Sequence, residues 1–284
     1  MSQRYRCAVI DGFDTAAFVA ATLAEDMGTG GDVTSAAVIP ANARLTAVMD
    51  SRDAVTVAGL PLAAEFFRAL DPDCRITMLA SDGDTVPAGA DLMRIEGNAR
   101  ALLTAERSAL NTVQHLTGIA TMTRAYVDAI AGTGAILLDT RKTLPGLRSL
   151  EKYATRMGGA TNHRMRLDDG VMIKDNHIAV AGGVEPAVRA AKAAGLTGVV
   201  VEVDRIDQIE PALSAGADRL LLDNMDVPTL VAAVALIAGR VPTEASGGVN
   251  LSTIRAIAET GVTYISVGRI TQSAPAADIG LDFA

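Results

Sequence analysis

Tryptophan is absent from this chain, and only two cysteines, Cys7 and Cys74, occur in it. Two thiols so placed make neither a disulfide framework nor the ligand spacing of a zinc site. Long apolar runs are missing too. The most apolar stretch, residues 230–239, is far short of the roughly 18 residues that a membrane span needs. The chain starts MSQRYRCAVIDGFD, with acids where a secretory leader needs its apolar centre. Positive charge is in deficit: 25 Lys and Arg stand against 33 Asp and Glu, for a net charge of −8. That balance argues against general nucleic-acid binding. Together these absences predict a soluble chain of the cytoplasm, with neither nucleic acid nor membrane as partner.

Apolar residues make up 49% of the sequence and charged residues 20%, a globular composition in which alanine, valine and leucine must fill the core. At 284 residues the chain has room for one large domain or two ordinary ones. The charge is unevenly spread. Residues 139–174 hold eight Lys or Arg and four acids, a +4 island in a chain that is otherwise −12. On charge alone, such an island suits a compact anionic ligand or a solvated basic face equally.

The first part reads as mixed α and β. Helical spacing over 13–27 puts Phe13, Ala16, Ala17, Ala20, Leu23 and Ala24 on one face. A loop is expected at GTGGDVTS, then strands near 45–49 and 55–57, then a helix over 60–70 that stops before Pro72. DGDTVPAGADLMRIEG reads as strand, turn and strand. It has the cadence of a lipoyl-type half-repeat without the turn lysine, so a structural hairpin is expected there. A long helix should run from 99 to about 130 on the stripe Leu102, Leu103, Leu110, Val113, Leu116 and Ala120.

The second half alternates strand and helix. Strands are expected at 135–139, 170–174, 198–203, 219–223, 242–246 and 263–268, with a further short one near 159–164. Helical patterns at 184–194, 207–215, 228–237 and 251–260 separate them. Continuous apolar strands between amphipathic helices mean a parallel sheet covered by helices. Each strand ends in a residue able to do chemistry: Asp139 with Arg141 and Lys142 just beyond, then Lys174, Glu202, Asp223, Ser246 and Gly268. From Lys174 onward the intervals are 28, 21, 23 and 22 residues, a βα period. In an α/β barrel these ends converge on one face. The turn Ser246-Gly247-Gly248 and the next strand end at Gly268 have the form of a barrel phosphate site. Glu202 and Asp223, on neighbouring strands, could hold Mg²⁺ directly or through water. His163 adjoins Arg164 in the basic island, and His177 could cap a strand end, whereas His115 on the long helix reads as surface or packing.

The segments DTRKTLPGLRSLEKYATRMGGATNHR, GVMIKDNHI, VEVD, LLDNM, EASGGVN and ISVG follow one another in this order, preceded by EDMGTGGDVTS and ERSALNTVQHLTGIAT. In them the chain resembles the quinolinate phosphoribosyltransferases over nearly its whole length. The resemblance implies an N-terminal open α/β (α+β) domain over 1–112, then a seven-stranded α/β barrel over 113–271, with a tail at 272–284 that packs back on the first domain. It implies a decarboxylating phosphoribosyl transfer from phosphoribosyl pyrophosphate to quinolinate, with Mg²⁺. It also implies a homodimer, or a higher oligomer built on it, in which each site takes Arg107 from the partner chain. Carried over by motif, Arg107, Arg141, His163, Arg164 and Lys174 would hold quinolinate. Lys142, Glu202, Asp223, Ser246, Gly247, Gly248 and Gly268 would surround phosphoribosyl pyrophosphate and its metal. Lys142, Lys174, Glu202 and Asp223 would form the catalytic set. The chain departs from the family pattern at Leu144, Ala160, Arg166 and Gln272, the last where a histidine is usual. Other readings of the residues are a Schiff-base aldolase working through Lys174, and an anion sensor without activity, of which Gln272 would be the mark. A relative of the same fold from the molybdenum system fits less well with IKDNH and GGATNHR.

Overall fold

A computed structural model of the chain describes residue 10 and residues 12–283. Most of the acid-bearing start and Cys7 lie outside the described residues. The strands are β1 Arg44–Ser51, β2 Val55–Thr56, β3 Arg75–Met78, β4 Thr85–Val86, β5 Asp91–Asn98, β6 Ile136–Leu138, β7 Met172–Ile173, β8 Val200–Val203, β9 Arg219–Asp223, β10 Thr243–Ser246, β11 Tyr264–Ser266 and β12 Ile279–Phe283. They fall into two compact units. One takes the described residues through Thr123, with Pro145–Gly159 and those from Ala274 on; the other takes Arg124–Leu144 and Ala160–Ser273.

The first unit is built on an antiparallel sheet in the order β12-β1-β5-β3. Alternation on β1 buries Ala47, Met49 and Ser51, and β5 buries Leu92, Met93 and Ile95. The helix Leu60–Leu70 covers this core with Phe66 and Phe67, both wholly buried. Its first turn is capped from a distance: the Asp82 carboxylate accepts the N–H groups of Gly59 (2.8 Å) and Leu60 (3.0 Å) and also the Tyr153 hydroxyl (2.6 Å).

Two expectations for this unit fail. GTGGDVTS is not all loop, because Asp32 caps the short helix Val33–Val38, its carboxylate accepting Ser35 N–H at 2.9 Å. The expected hairpin is not a hairpin: β4 pairs with β2, whereas β5 pairs with β1 and β3. Pro87 directly after β4 has no N–H for a ladder, which stops that strand after two residues.

The second unit is the barrel. Its six parallel strands run β6-β11-β10-β9-β8-β7, each βα step moving one place along the sheet from β7 to β11. The central strands are buried throughout, as at Val200, Val201, Leu220 and Leu222, which is why they read as unbroken apolar runs. The seventh strand is reduced to one parallel bridge, Leu138 to Thr161. Beyond Thr161 the ladder gives way as the Asp139 carboxylate takes over the His163 N–H at 2.7 Å and also holds the Asn162 side-chain Nδ2 at 2.5 Å.

Candidate active site

Parallel strands present all their C-terminal ends to one face, so the polar residue that closes each apolar run arrives at a common mouth. Lys174 follows β7, Glu202 lies in β8, Asp223 ends β9, Ser246 ends β10 and Gly268 stands two residues beyond β11. They border a cavity of about 620 Å³, together with Arg141, Lys142, His163, Arg164, Gly247 and Gly248. Every predicted residue of the barrel therefore meets in one space. Arg107 belongs to the other unit, where it is exposed on the helix Ala99–Ala129. Asp139 closes β6 but is wholly buried, and its carboxylate holds the Asn162–His163 segment as described above.

One wall of the cavity is cationic. Arg164 donates through Nη1 to the Gly170 carbonyl at 2.9 Å. Burial depresses its pKa, the neighbouring Arg141 depresses it further, and Asp169 only partly opposes this. A guanidinium that feels the repulsion of a neighbouring one makes a place that gains from an anion. Lys174 Nζ lies 2.6 Å from Glu202 Oε2, and the lysine side chain is about half exposed. An ammonium engaged by a carboxylate and open to water is not the desolvated amine of a Schiff-base enzyme.

The acids meet beside it. Burial raises the pKa of Asp223, and the proximity of Glu202 adds to the rise; Lys174, Lys142 and the Asn224 amide, 2.6 Å away, pull it down. The net upward shift marks a partly buried carboxylate set beside a second one. Among the described residues there is no cluster of three or more His, Cys, Asp or Glu able to hold a metal. A two-carboxylate set is the usual protein share of a Mg²⁺ site whose other ligands are phosphate oxygens and water, so Glu202 and Asp223 fit that ion.

The glycine turns border the same cavity. Gly247 has φ +91°, and a Cβ there would come within 2.6 Å of Asn224 Cγ and 2.9 Å of its backbone nitrogen. Only glycine lets the turn close against Asn224, whose own N–H donates to Ser246 O at 2.9 Å. At Gly268 a Cβ would strike Lys142 Cδ at 2.7 Å, so its absence makes room for the lysine stem. Lys142 is pinned at its backbone: its N–H donates to Thr140 Oγ1 (3.0 Å), and Thr271 Oγ1 donates to its carbonyl (2.7 Å).

Among the cavity residues that the sequence did not point to are Asn224, Glu244, Asn250 and Arg269. Asn224 and Arg269 adjoin the predicted Asp223 and Gly268, so one step along each turn would have found them. Gln272 also borders the cavity, whereas Arg166 is exposed and paired with Asp168 at 2.8 Å. His177 serves as a cap, its Nδ1 accepting Lys174 N–H at 2.9 Å. His115 is more than surface: its Nε2 lies 3.0 Å from the buried Glu151 carboxylate.

Comparison with known proteins agrees with this architecture. The N-terminal domain model of quinolinate phosphoribosyl transferase matches residues 32–117, and the C-terminal domain model matches residues 119–282. The nicotinate-nucleotide pyrophosphorylase [carboxylating] of Mycobacterium leprae is 43% identical over 268 residues, covering 92% of this chain and 94% of its own. The quinolinate phosphoribosyltransferase [decarboxylating] 2b of Nicotiana tabacum is 42% identical over 279 residues, 91% of this chain and 79% of its own. The solved nicotinate-nucleotide pyrophosphorylase of Francisella tularensis superposes with a TM-score of 0.91 at 40% identity, over 97% of this chain and 99% of the other. The chain belongs to the quinolinate phosphoribosyltransferase family.

Proposed function

We propose that the barrel cavity is where this enzyme carries out its family's reaction: phosphoribosyl transfer from phosphoribosyl pyrophosphate to quinolinate, with decarboxylation, for NAD biosynthesis. The observation that carries the assignment of roles is that Arg141, Arg164 and Lys174, with His163 among them, border the same cavity as the glycine turns. Two carboxylates on adjacent ring carbons suit a wall of several cations, and arginine meets a planar carboxylate with two parallel donors. Ser246, Gly247, Gly248 and Gly268 offer backbone N–H groups to phosphate oxygens.

In the transfer, the bond from ribose C1 to the pyrophosphate oxygen lengthens. Positive charge grows on the ribose ring and negative charge on the leaving group. Lys142 stands where it can take up the latter. The pyridine nitrogen forms the new bond to C1 as pyrophosphate departs. The 2-carboxylate then leaves as carbon dioxide, its bonding pair held at C2 beside the pyridinium nitrogen until a solvent proton replaces it. The protein needs no poised nucleophile for this; its work is to orient the reactants and match their charge. Glu202 and Asp223 would hold Mg²⁺, which when bound would supply positive charge near the leaving group.

Arg107 is assigned, on the resemblance, to the partner's cavity in a homodimer. Among the described residues no helix is long and apolar enough to cross a membrane, and a cytoplasmic location remains our reading of the composition. The test is an assay with quinolinate, phosphoribosyl pyrophosphate and Mg²⁺, following carbon dioxide and pyrophosphate, with nicotinate as the control. Equal release of both products from quinolinate and none from nicotinate is expected. Equal turnover of nicotinate would overturn the dicarboxylate assignment.

A further inference from the structure

Glu244 lies on β10, two residues before Ser246, with its side chain wholly buried inside the barrel. A carboxylate there works against the binding of two anionic ligands, so its presence calls for a compensating role. Its Oε2 is 3.4 Å from His163 Nε2 and 3.3 Å from Arg219 Nη1. Arg219 is steadied in turn by Tyr264, its guanidinium carbon 4.2 Å from the ring centroid. Burial pushes the Glu244 carboxyl up, but the nearby His163, then the Ser266 hydroxyl and Arg219, outweigh it and hold it below the usual range. It therefore stays a carboxylate at neutral pH.

The other ring nitrogen of His163 decides what that carboxylate does. His163 Nδ1 accepts the backbone N–H of Arg164 at 2.8 Å, so Nδ1 keeps its lone pair and the ring proton belongs on Nε2, facing Glu244. The backbone of His163 is tied as well, donating to Asp139 at 2.7 Å. The imidazole thus links a buried anion on one side to the main chain of Arg164 on the other.

We propose that Glu244 is a positioning residue for the dicarboxylate side of the reaction: anchored by Arg219, it fixes the tautomer and ring plane of His163, and through the Nδ1 bond it fixes where Arg164 stands before the ligand arrives. This rests on the reading that the cationic wall receives quinolinate. It gives the Arg219–Glu244–His163–Arg164 chain the task that outer partners perform for directly bound ligands elsewhere.

The experiment combines nitrogen NMR of the three histidines, labelled in the ring, with steady-state kinetics on Glu244→Gln, which keeps the shape and an acceptor but removes the charge. In the wild type, the His163 resonances should show a single tautomer protonated at Nε2. In Glu244→Gln they should move toward an average of both. The KM for quinolinate should rise about tenfold or more. The KM for phosphoribosyl pyrophosphate should change by less than about twofold, as for an independent site. Glu244→Asp, which keeps the charge but draws it back from the ring, should fall between the two and carries the same readouts if the glutamine variant does not fold. A wild-type tautomer signal together with a wild-type quinolinate KM in either folded variant would overturn the proposal. Wild-type protein that holds the Nε2–H tautomer but never turns over quinolinate would overturn the substrate reading instead, and the NMR shift in Glu244→Gln would then decide the Glu244–His163 coupling by itself.

Discussion

Gly247 is the position where backbone geometry and chemistry are hardest to separate, and alanine there makes a quantitative test. Its φ of +91° costs any L side chain about 1–2 kcal/mol. A methyl group would also sit 2.6 Å from Asn224 Cγ and 2.9 Å from the Asn224 nitrogen, closer than real Cβ contacts come. Overpacking of this kind adds about 1–3 kcal/mol. The nitrogen belongs to the main chain and is tied to Ser246 O, so relief must come from the Asn224 side chain and from the turn itself. Gly248 supplies the contrast: its φ is +63°, but a Cβ there meets nothing within 4 Å. Gly248→Ala should therefore cost only the backbone term, about 1–2 kcal/mol, against about 2–5 kcal/mol for Gly247→Ala. With about 2–4 °C of Tm per kcal/mol for a domain of this size, the Gly247 variant should melt about twice as far below wild type as the Gly248 variant. Differential scanning calorimetry reads the difference. Steady-state kinetics should show the Gly247 variant weakened toward phosphoribosyl pyrophosphate, because moving Asn224 also loosens its 2.6 Å bond to Asp223. Equal melting temperatures for the two variants, or a Gly247→Ala protein as stable as wild type, would refute the argument.

Four shorter predictions follow from the same site. Asp223 has its folded pKa raised, so the native state gives up stability as pH rises through that value; Asp223→Asn should melt above wild type at pH 7, and the gain should vanish below the ordinary carboxylate range near pH ~3.9. The same variant should lose turnover, and a pH-independent Tm difference would count against the assigned shift. Arg141→Lys keeps the charge but loses the paired donors, and should lower kcat/KM for quinolinate about tenfold or more; an unchanged value would remove Arg141 from the ligand. Chelating Mg²⁺ should abolish turnover while calorimetry still detects quinolinate binding, and full activity in chelator would rule out a metal role for Glu202 and Asp223. Mixing Arg107→Ala chains with Lys174→Ala chains by subunit exchange should restore activity to about a quarter of wild type, since half the dimers are hybrids with one intact site; a mixture that stays dead, with hybrids confirmed by tags, would place Arg107 in its own chain's site.

The barrel was legible because its strands carry a signal that nothing else in the chain imitates. RLLLD was expected as a strand over 219–223, and β9 runs Arg219–Asp223. Where the signal is interrupted, elements go unseen. β3 has only four residues, alternating exposed and half-buried. The helix Arg148–Met157 buries Glu151 and Lys152 beside Leu150, Tyr153 and Ala154, so charged letters interrupt its core face. The expected seventh strand failed for a related reason. A side chain, the Asp139 carboxylate, takes the His163 N–H that a ladder would have used, and no periodicity reveals that.

The site divides along the same line. Strand-end residues were readable because the βα period locates them. Glu244 was not, because an acid in the middle of a short strand reads as a solvent-facing residue, and only the sheet discloses that both faces of β10 are covered. Its partner Arg219 is 25 positions away and reaches it across neighbouring strands. These hidden acids bear on how the site balances its ligands. Five Lys or Arg border the cavity against three acids, Glu202, Asp223 and Glu244, a net of only +2 before His163 is considered. Quinolinate alone carries two negative charges, and phosphoribosyl pyrophosphate carries more. The cavity's own side chains therefore match the first anion but not both together. Burial, and then the nearby Glu202, already raise the Asp223 pKa. A divalent cation arriving with the diphosphate and an arginine from a partner chain would each reduce that deficit, which is why metal removal and the Arg107 mixing experiment probe the same imbalance from its two ends.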